Sequence, residues 1–177
     1  MSTKNLIISV IMFCALIIGV YYVAQDNKAT DNLSGASVIN NSNKPSQNTF
    51  SGEKGDSISL TENKVQIPES EFEGINANFY NTKLSSGTTV YYFVVRDAEG
   101  IFRAAANACQ VCFDDKKGFH QEGDYMVCNT CRRKYPLSKI ATEKGGCNPG
   151  PINPSLEVVN GNVIINEADL NEVIFFF

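Results

Sequence analysis

Residues 109–131 read CQVCFDDKKGFHQEGDYMVCNTC, and this stretch decides the fold. It holds two Cys-x-x-Cys pairs, Cys109 with Cys112 and Cys128 with Cys131, separated by fifteen residues. This spacing is typical of four-thiolate metal sites, because two intervening residues let both sulfurs of a pair face one ion, and the loop brings the second pair across. An unfolded chain has no such site, so binding and folding are coupled. We predict that these four cysteines hold a metal ion or an iron-sulfur cluster.

The spacing does not identify the bound group. Zinc, a single iron and an iron-sulfur cluster all accept four thiolates. Two uses without a metal also remain open, a disulfide-stapled domain and a thiol-disulfide redox site. Disulfides within each Cys-x-x-Cys would close very small loops and remove little chain entropy, so the pattern favours metal binding over stapling.

One further cysteine and the only histidine lie near the two pairs. Cys147 lies in the segment Gly145-Gly146-Cys147-Asn148-Pro149, where it is either a free thiol in a tight loop or a cap or alternative ligand of the centre. We keep it as a cofactor-binding candidate. His120 lies in a polar loop and is predicted to face solvent rather than bind the metal. Phe119 and Tyr125 are predicted to belong to the core.

Basic residues crowd the ligand region. Four thiolates around zinc or an oxidised two-iron cluster carry a formal charge of about -2, which nearby cations would offset. An ordinary solvated surface accounts for the same residues equally well. They are Lys116, Lys117, Arg132, Arg133 and Lys134.

An apolar run lies near the N-terminus. Leu6 to Ala24 contains about nineteen residues without a charge, which at about 1.5 Å per residue nearly spans a bilayer core of about 30 Å. We predict a transmembrane helix over residues 6–24 rather than a cleaved signal peptide, because Tyr21, Tyr22 and Val23 occupy the place of a small-residue cleavage site. Cys14 is then an apolar side chain within the membrane rather than a lipidation site.

One such helix predicts a single-pass protein of the cell membrane, and the charges beside the helix predict its orientation. Lys4 and the amino terminus precede the helix, whereas Asp26, Lys28 and Asp31 follow it. Positive charge favours the cytoplasmic side, so residues 1–5 are expected in the cytoplasm and the folded domain outside it.

The remainder divides into a linker and a domain. Residues 25–57 are rich in Asn, Ser, Thr, Lys, Gly and Asp and are predicted to form a flexible linker. Residues 58–177 show the pattern of a mainly β domain, with strands predicted at 58–60, 64–67, 78–80 and 88–96 and a helical hint only at 167–173.

Two hairpins are predicted from turn signals. Thr88 to Arg96 is a β-branched and aromatic run that turns at residues 97–100 into Ile101 and Phe102. The Asn160-Gly161 pair predicts a tight turn between strands at 156–159 and 163–165.

Composition limits the possible partners and chemistry. The formal net charge is -4, and without a clustered basic excess we expect no nucleic acid partner. The apolar fraction of 43% is concentrated near the N-terminus, so the domain core is small and needs a staple such as a metal. No paired carboxylates, nucleophile with a base, or phosphate-binding glycine loop stands out, which favours an electron-transfer or accessory protein over a catalyst.

The cysteine region also resembles a known family. The run Gly118-Phe-His-Gln-Glu-Gly-Asp-Tyr-Met-Val-Cys-Asn-Thr-Cys131, followed by Gly-Gly-Cys-Asn-Pro at 145–149, is similar to the FtrD-like membrane iron-sulfur proteins. The likeness extends from about Val65 to Leu170. His120 stands where Arg or another polar residue is expected, which counts against a ligand role.

The resemblance implies function as well as ligands. It implies iron-sulfur binding and an association with iron transport across bacterial membranes, in which a related member passes electrons beside a ferrous-iron permease. Larger members carry several membrane helices, whereas one is predicted in this chain. The resemblance therefore implies that a permease or redox function belongs to a partner protein in the membrane. The motif cysteines it carries over are Cys109, Cys112, Cys128, Cys131 and Cys147.

A more distant likeness concerns the order of parts. A hairpin, a ligand pair, a loop, a second ligand pair, a Gly/Pro-rich loop and a closing hairpin also follow one another in Rieske domains. There each pair is Cys plus His, and exchanging both histidines for thiolates would lower the potential of a two-iron cluster. The predicted fold is therefore a small Rieske-like or zinc-ribbon-like β domain with two Cys-x-x-Cys knuckles, plus one N-terminal transmembrane helix.

Three functions follow as hypotheses. The first is a membrane-anchored iron-sulfur protein that relays electrons in iron uptake or handling. The second is a zinc-stabilised binding module that recruits a membrane partner, because zinc has no redox chemistry. The third is a metallochaperone or thiol oxidoreductase that uses Cys147 with one of the pairs.

Overall fold

The structure is a computed structural model that describes residues 49–177. Its elements are β1 Asp56–Ser57, β2 Lys64–Pro68, β3 Asn78–Lys83, β4 Thr89–Arg96, β5 Phe102–Cys109, β6 Phe119–Glu122, β7 Tyr125–Cys128, β8 Lys134–Pro136, β9 Pro149–Asn153, β10 Val158–Val159, β11 Asn162–Asn166 and the helix α1 Glu167–Asn171. Short 3₁₀ turns lie at Glu69–Glu71, Phe113–Asp115, Leu137–Lys139 and Ile174–Phe176. The described part is thus mainly β, as predicted.

The predicted transmembrane helix at residues 6–24 lies outside the described residues, as does most of the predicted linker. Within residues 49–177, no helix is long and apolar enough to cross a membrane.

A five-stranded sheet in the order β1-β3-β4-β5-β9 forms the centre of the domain. β1 runs parallel to β3, and the other neighbours are antiparallel. Successive side chains of a strand point to opposite faces, and both faces of β4 are buried, which explains its continuous apolar run. Tyr92 and Val94 pack into one core, whereas Phe93 and Val95 pack into another.

The first core lies between the central sheet and a three-stranded sheet in the order β10-β11-β2. Val65 and Ile67 of β2 and Val163 and Ile165 of β11 are fully buried there. Leu170 of α1 closes the same core. The predicted hairpin around Asn160-Gly161 is confirmed, since Val159 pairs with Asn162 across the turn.

The second core lies between the central sheet and a three-stranded sheet in the order β6-β7-β8. Phe119 and Met126 are fully buried beside Phe93. Cys109 and Cys128 belong to this core, because β5 and β7 end at these residues. The cysteine region is therefore built into the domain core rather than attached to it as a loop.

Several strand predictions need correction. The hairpin of β4 and β5 is confirmed, with Arg96 opposite Phe102. The strand predicted at 58–60 is wrong, since pairing covers only residues 56–57, and Ile58 and Leu60 pack against the first core from irregular backbone. β5, which continues to Cys109, and the β6-β7-β8 sheet were not predicted.

Folded contacts begin before residue 58. Phe50 is only 7% exposed, and its ring stacks on Tyr91 at 4.2 Å between centroids. The ring of Phe177 meets it edge-on at 5.9 Å. Residues 49–57, assigned to the linker from sequence, thus contact the β domain.

Candidate metal centre

The structure brings the four predicted thiols together. Cys109 lies at the end of β5 and Cys128 at the end of β7, while Cys112 and Cys131 lie in the turns that follow. All four Sγ atoms lie within 4.8 Å of one another. The five cysteines of residues 49–177 form no disulfide. This donor set of four sulfurs is suited to zinc, iron or an iron-sulfur cluster.

The separation of the sulfurs bears on the size of the bound group. A tetrahedral ion with metal–sulfur bonds of about 2.3 Å sets its sulfurs about 3.8 Å apart. A cluster has sulfide between its irons and separates the cysteine sulfurs further. The observed limit of 4.8 Å is closer to the single-ion case.

Backbone N–H groups point at these sulfurs. The amide of Cys112 donates to Cys109 Sγ at 3.4 Å. The amides of Thr130 and Cys131 oppose the rise in the pKa of Cys128 that burial causes, and the amide of Arg133 lowers the pKa of Cys131. Donors of this kind stabilise thiolate charge, so the turns after each first cysteine are shaped to hold negatively charged ligands.

The thiols differ in how readily they ionise. Burial raises the pKa of Cys128 to about 11, and burial together with the thiol of Cys112 donating to Cys109 raises the pKa of Cys112. Burial also opposes ionisation of Cys131, but the Arg133 amide and neighbouring thiols outweigh it and lower the pKa of that thiol. Cys131, the exposed member, thus differs from Cys112 and Cys128 in having a lowered pKa.

Gln110 fastens the Cys147 loop over the first pair. Its Oε1 accepts from the Gly145 amide at 2.9 Å, and its Nε2 donates to the Pro149 carbonyl at 3.3 Å. Its own amide donates to the Asn148 carbonyl at 2.9 Å. Cys147 is consequently held against the centre, and sequence reasoning missed Gln110, which could have been suspected from its place inside the Cys109–Cys112 knuckle.

Tyr135 supplies a hydroxyl without a protein partner. Among the side chains of residues 49–177, its oxygen is the one buried polar atom that makes no hydrogen bond. Burial, then the nearby thiols of Cys147 and Cys109, raise the pKa of this phenol. A buried donor without an acceptor is unfavourable, and a sulfur of a bound centre is an acceptor of the required kind. The sequence signal was a single aromatic residue in the basic run Arg132-Arg133-Lys134-Tyr135.

The charged residues near the second pair form a network on Glu122. Lys134 and Arg132 approach its carboxylate at 2.7 and 3.2 Å, and the contacts with Lys134 and then His120 lower the pKa of Glu122 to about 2. Lys134 and Arg132 thus form ion pairs with Glu122. Arg133, in contrast, forms no salt bridge within the described part of the chain.

His120 and the two predicted core aromatics can now be placed. His120 is about one third exposed and lies between Glu122 at 2.9 Å and Asn129 at 2.5 Å. It is not part of the four-sulfur group. Phe119 is fully buried, as predicted, but Tyr125 is 43% exposed, so its prediction as core is wrong. Tyr125 is the first residue of β7 and follows the turn at Gly123, so its side chain is still exposed at the protein surface.

A family model for "Membrane iron-sulfur containing protein FtrD-like" matches residues 72–177, which include all five cysteines of the site. The match covers more than half of the chain. The chain belongs to the FtrD-like family. The resemblance noted in the sequence is therefore confirmed. No curated protein and no solved structure matches the chain.

The residues of this FtrD-like chain supply the four sulfur ligands that an iron-sulfur centre requires, and the separation of these sulfurs is closer to that of a single bound ion. Four sulfurs converge, the Cys112 amide donates to one of them, backbone amides favour the thiolate form of two others, and the Tyr135 hydroxyl lacks a protein acceptor. Membership makes it one of a family of membrane iron-sulfur proteins, and the cysteine cluster is where its metal is expected.

Proposed function

We propose that this chain is a membrane-anchored electron-transfer protein that holds iron on Cys109, Cys112, Cys128 and Cys131. The observation that carries the proposal is the convergence of the four Sγ atoms within 4.8 Å in an FtrD-like domain. Iron bound by thiolates supplies one-electron redox chemistry. The order of parts shared with Rieske domains supports the same assignment.

The burial of the ligands suits electron transfer at the protein surface. Cys109 is 3% exposed and Cys128 is fully buried, so the domain shields that side of the centre from water. Cys131 is exposed. Val111, between the first two ligands, is 59% exposed and adds an accessible apolar side chain beside the first pair. A partner that docks on this edge would approach the centre through Cys131.

The charge of the centre is moderated by the chain itself. The Cys112 amide donates to Cys109 Sγ, and backbone amides favour the thiolate forms of Cys128 and Cys131. Donors and cations near a cluster stabilise its reduced, more negative form and so raise its potential. Arg133 is well placed to contribute, since its charge acts on both Tyr135 and Cys147.

The physiological role proposed is electron relay in iron uptake or handling at the membrane. The support is the family likeness, together with the charge-free run at residues 6–24, which would anchor the chain with its domain outside the cytoplasm. A permease or membrane redox protein is the proposed partner, because the domain exposes one of the candidate ligands, Cys131.

The test is a redox titration of the full-length protein in detergent, purified without oxygen and followed by visible absorption. We expect a band that bleaches on reduction and returns on oxidation, and that is absent from Cys128→Ser. A wild-type protein with no reversible absorption change over the titration would contradict electron transfer.

A second candidate is a zinc-stabilised binding module for a membrane partner. The sulfur separation favours it, since the limit of 4.8 Å is close to that of a single tetrahedral ion, which zinc fills without redox chemistry. A colourless protein with stoichiometric zinc would establish this candidate in place of the first.

A further inference from the structure

An apolar patch lies beside the first cysteine pair. Phe175 is 64% exposed and Val111 is 59% exposed, which makes them the two most exposed large apolar side chains of residues 49–177. Phe113, which is partly buried, follows Cys112 directly and meets the ring of Phe175 edge-on at 6.5 Å between centroids. Exposed apolar side chains that lie together mark a contact surface. We call Val111, Phe113 and Phe175 the apolar patch.

The apolar patch is held in place by the core beneath it. Phe176 is buried, and its ring centroid lies 4.0 Å from that of Phe175 and 5.4 Å from that of Phe113. Lys116 Nζ donates to the Phe176 carbonyl at 2.8 Å. The exposure of Phe175 thus belongs to the folded state and is not the fraying of a loose segment.

The chain enters the domain on the same side as the apolar patch. The ring of Phe50 meets that of Phe177 at 5.9 Å, in the segment that carries the exposed phenylalanine of the patch. The Ser51 amide donates to the Lys116 carbonyl at 2.8 Å, and Lys116 ends the turn that begins at Phe113. Residues 50–51 therefore contact both of the segments that form the patch.

The length of the preceding chain limits which face of the domain can reach the membrane. Residues 25–48 separate the predicted anchor at 6–24 from the described domain. A flexible chain of this length has an end-to-end distance of about 27 Å. A compact domain of about 130 residues is about 36 Å wide. The side at which the chain enters, with the apolar patch, is therefore the side kept closest to the bilayer.

The charges around the apolar patch balance, so they neither attract nor repel lipid headgroups strongly. Residues 114–117 read Asp-Asp-Lys-Lys, and Lys144 approaches Glu172 at 3.9 Å. The exposed ring of Tyr125, in contrast, borders a cavity of the described domain that is lined by Glu99 and Asp124 among others but by no Lys or Arg. Carboxylates oppose contact with phosphate headgroups, so the apolar patch is the better suited of the two surfaces.

We propose that the apolar patch inserts into the surface of the bilayer that anchors the chain. Phe175, the most exposed member, enters the boundary between headgroups and acyl chains, to a depth of about 5–10 Å, where aromatic side chains are favoured. The Cys109–Cys112 knuckle is then held at the level of the membrane surface, within reach of a membrane partner. The inference rests on the anchor of the proposed function and not on its redox chemistry.

The experiment uses the absence of tryptophan from the sequence, because a single introduced tryptophan then reports on one position. Full-length Phe175→Trp is purified without oxygen and reconstituted into vesicles of phosphatidylcholine, with or without bromine on the acyl chains. We expect brominated lipid to quench most of the tryptophan emission and aqueous acrylamide to quench little of it. Tyr125→Trp is the matched control, since Tyr125 is exposed and the same chain segment tethers it. Its emission should respond to acrylamide and not to brominated lipid.

A second pair of variants tests the patch rather than the reporter. Val111→Asp, introduced into the Phe175→Trp chain, places a charge in the patch and should restore most of the emission lost to brominated lipid. Val159→Asp in the same background is its control, because Val159 is 47% exposed on β10 and lies outside the patch. It should leave the quenching unchanged. Equal quenching in these two variants would contradict docking through the patch.

The outcomes separate this inference from the proposed function. A chain that does not float with the vesicles lacks the anchor, which overturns the docking together with the membrane part of the proposed function. A chain that floats with the vesicles overturns the docking alone if brominated lipid quenches Phe175→Trp no more than Tyr125→Trp. The same result with protection from acrylamide would assign the patch to a protein contact instead. Electron transfer by bound iron is tested separately by the redox titration.

Discussion

At the scale of single residues, the Tyr135 hydroxyl connects the packing of the core to the chemistry of the centre. Its ring meets Phe119 edge-on at 6.2 Å, which directs the oxygen into the second core beside the thiols. There it has no protein acceptor. A hydroxyl that donates to a bound redox centre from this position would favour the more negative, reduced state of that centre.

Replacing Tyr135 with Phe should therefore shift the midpoint potential of the iron-loaded protein to a more negative value. The ring and its packing remain, and only the hydrogen-bond donor is lost. Tyr125→Phe is the matched control, because Tyr125 is exposed and lies outside the second core. The measurement is a spectroelectrochemical titration of both variants. An unchanged midpoint potential in Tyr135→Phe would show that the hydroxyl does not act on the centre.

The ligands could be predicted from sequence, but the donors around them could not. Two Cys-x-x-Cys pairs encode chelation locally, through the turn that each pair forms. The position of Tyr135 depends on β8 pairing with β7, where Tyr135 lies opposite Met126. Gln110 acts on a loop more than thirty residues away. Neither contact leaves a periodic or motif signal.

At the scale of elements, Gly118 allows the start of β6 to lie close to β5 of the central sheet. Its φ is +62°, and an added Cβ would lie 2.5 Å from Asn107 Oδ1. Asn107 is fully buried and bridges two elements, accepting from the Phe119 amide and donating to the Glu53 carbonyl, each at 2.7 Å. Gly118 is thus needed both for its backbone conformation and for the space beside Asn107.

Gly118→Ala should cost more stability than Gly123→Ala. Both glycines have positive φ, but nothing lies within 4 Å of a Cβ at Gly123. Gly123→Ala should lower the free energy of unfolding by about 1 kcal/mol from backbone strain alone. Gly118→Ala should lower it by about 3 kcal/mol, because overpacking adds to that strain. Urea unfolding of the two metal-loaded variants measures the difference, and equal losses would contradict the described contact.

The strands that sequence reasoning missed have a common physical cause. β5 contains Ala104, Ala105 and Ala106, which have low strand propensity, and it is covered on both faces, so no alternation of apolar and polar residues marks it. The β6-β7-β8 sheet is short and polar at its edges. In contrast, the Asn-Gly turn and the β4 run carry strong local signals, and both hairpins were predicted.

At the scale of the whole molecule, the chain before the predicted domain contributes to stability. Phe50 stacks on Tyr91 of β4 and meets Phe177 at the C-terminus, so residues far apart in sequence form one aromatic cluster. The polar composition around Phe50 predicted a linker, since a single aromatic residue does not establish a strand or a helix. Only the tertiary contacts reveal its place in the fold.

Phe50→Ala should lower the free energy of unfolding by about 3 kcal/mol, because it removes a buried aromatic side chain. Phe175→Ala is the control, since Phe175 is 64% exposed, and it should change stability by less than about 1 kcal/mol. Chemical unfolding of the full-length variants provides the comparison. Similar losses in both would show that Phe50 does not belong to the cooperative unit.

The central claim is that this FtrD-like chain carries a redox-active iron centre on Cys109, Cys112, Cys128 and Cys131. Its most direct test is the iron, zinc and acid-labile sulfide content, with a visible spectrum, of the full-length protein purified without oxygen. The account predicts iron and a visible band that bleaches on reduction, with sulfide present if the centre is a cluster and absent if it is a single iron. Stoichiometric zinc in a colourless protein would contradict it.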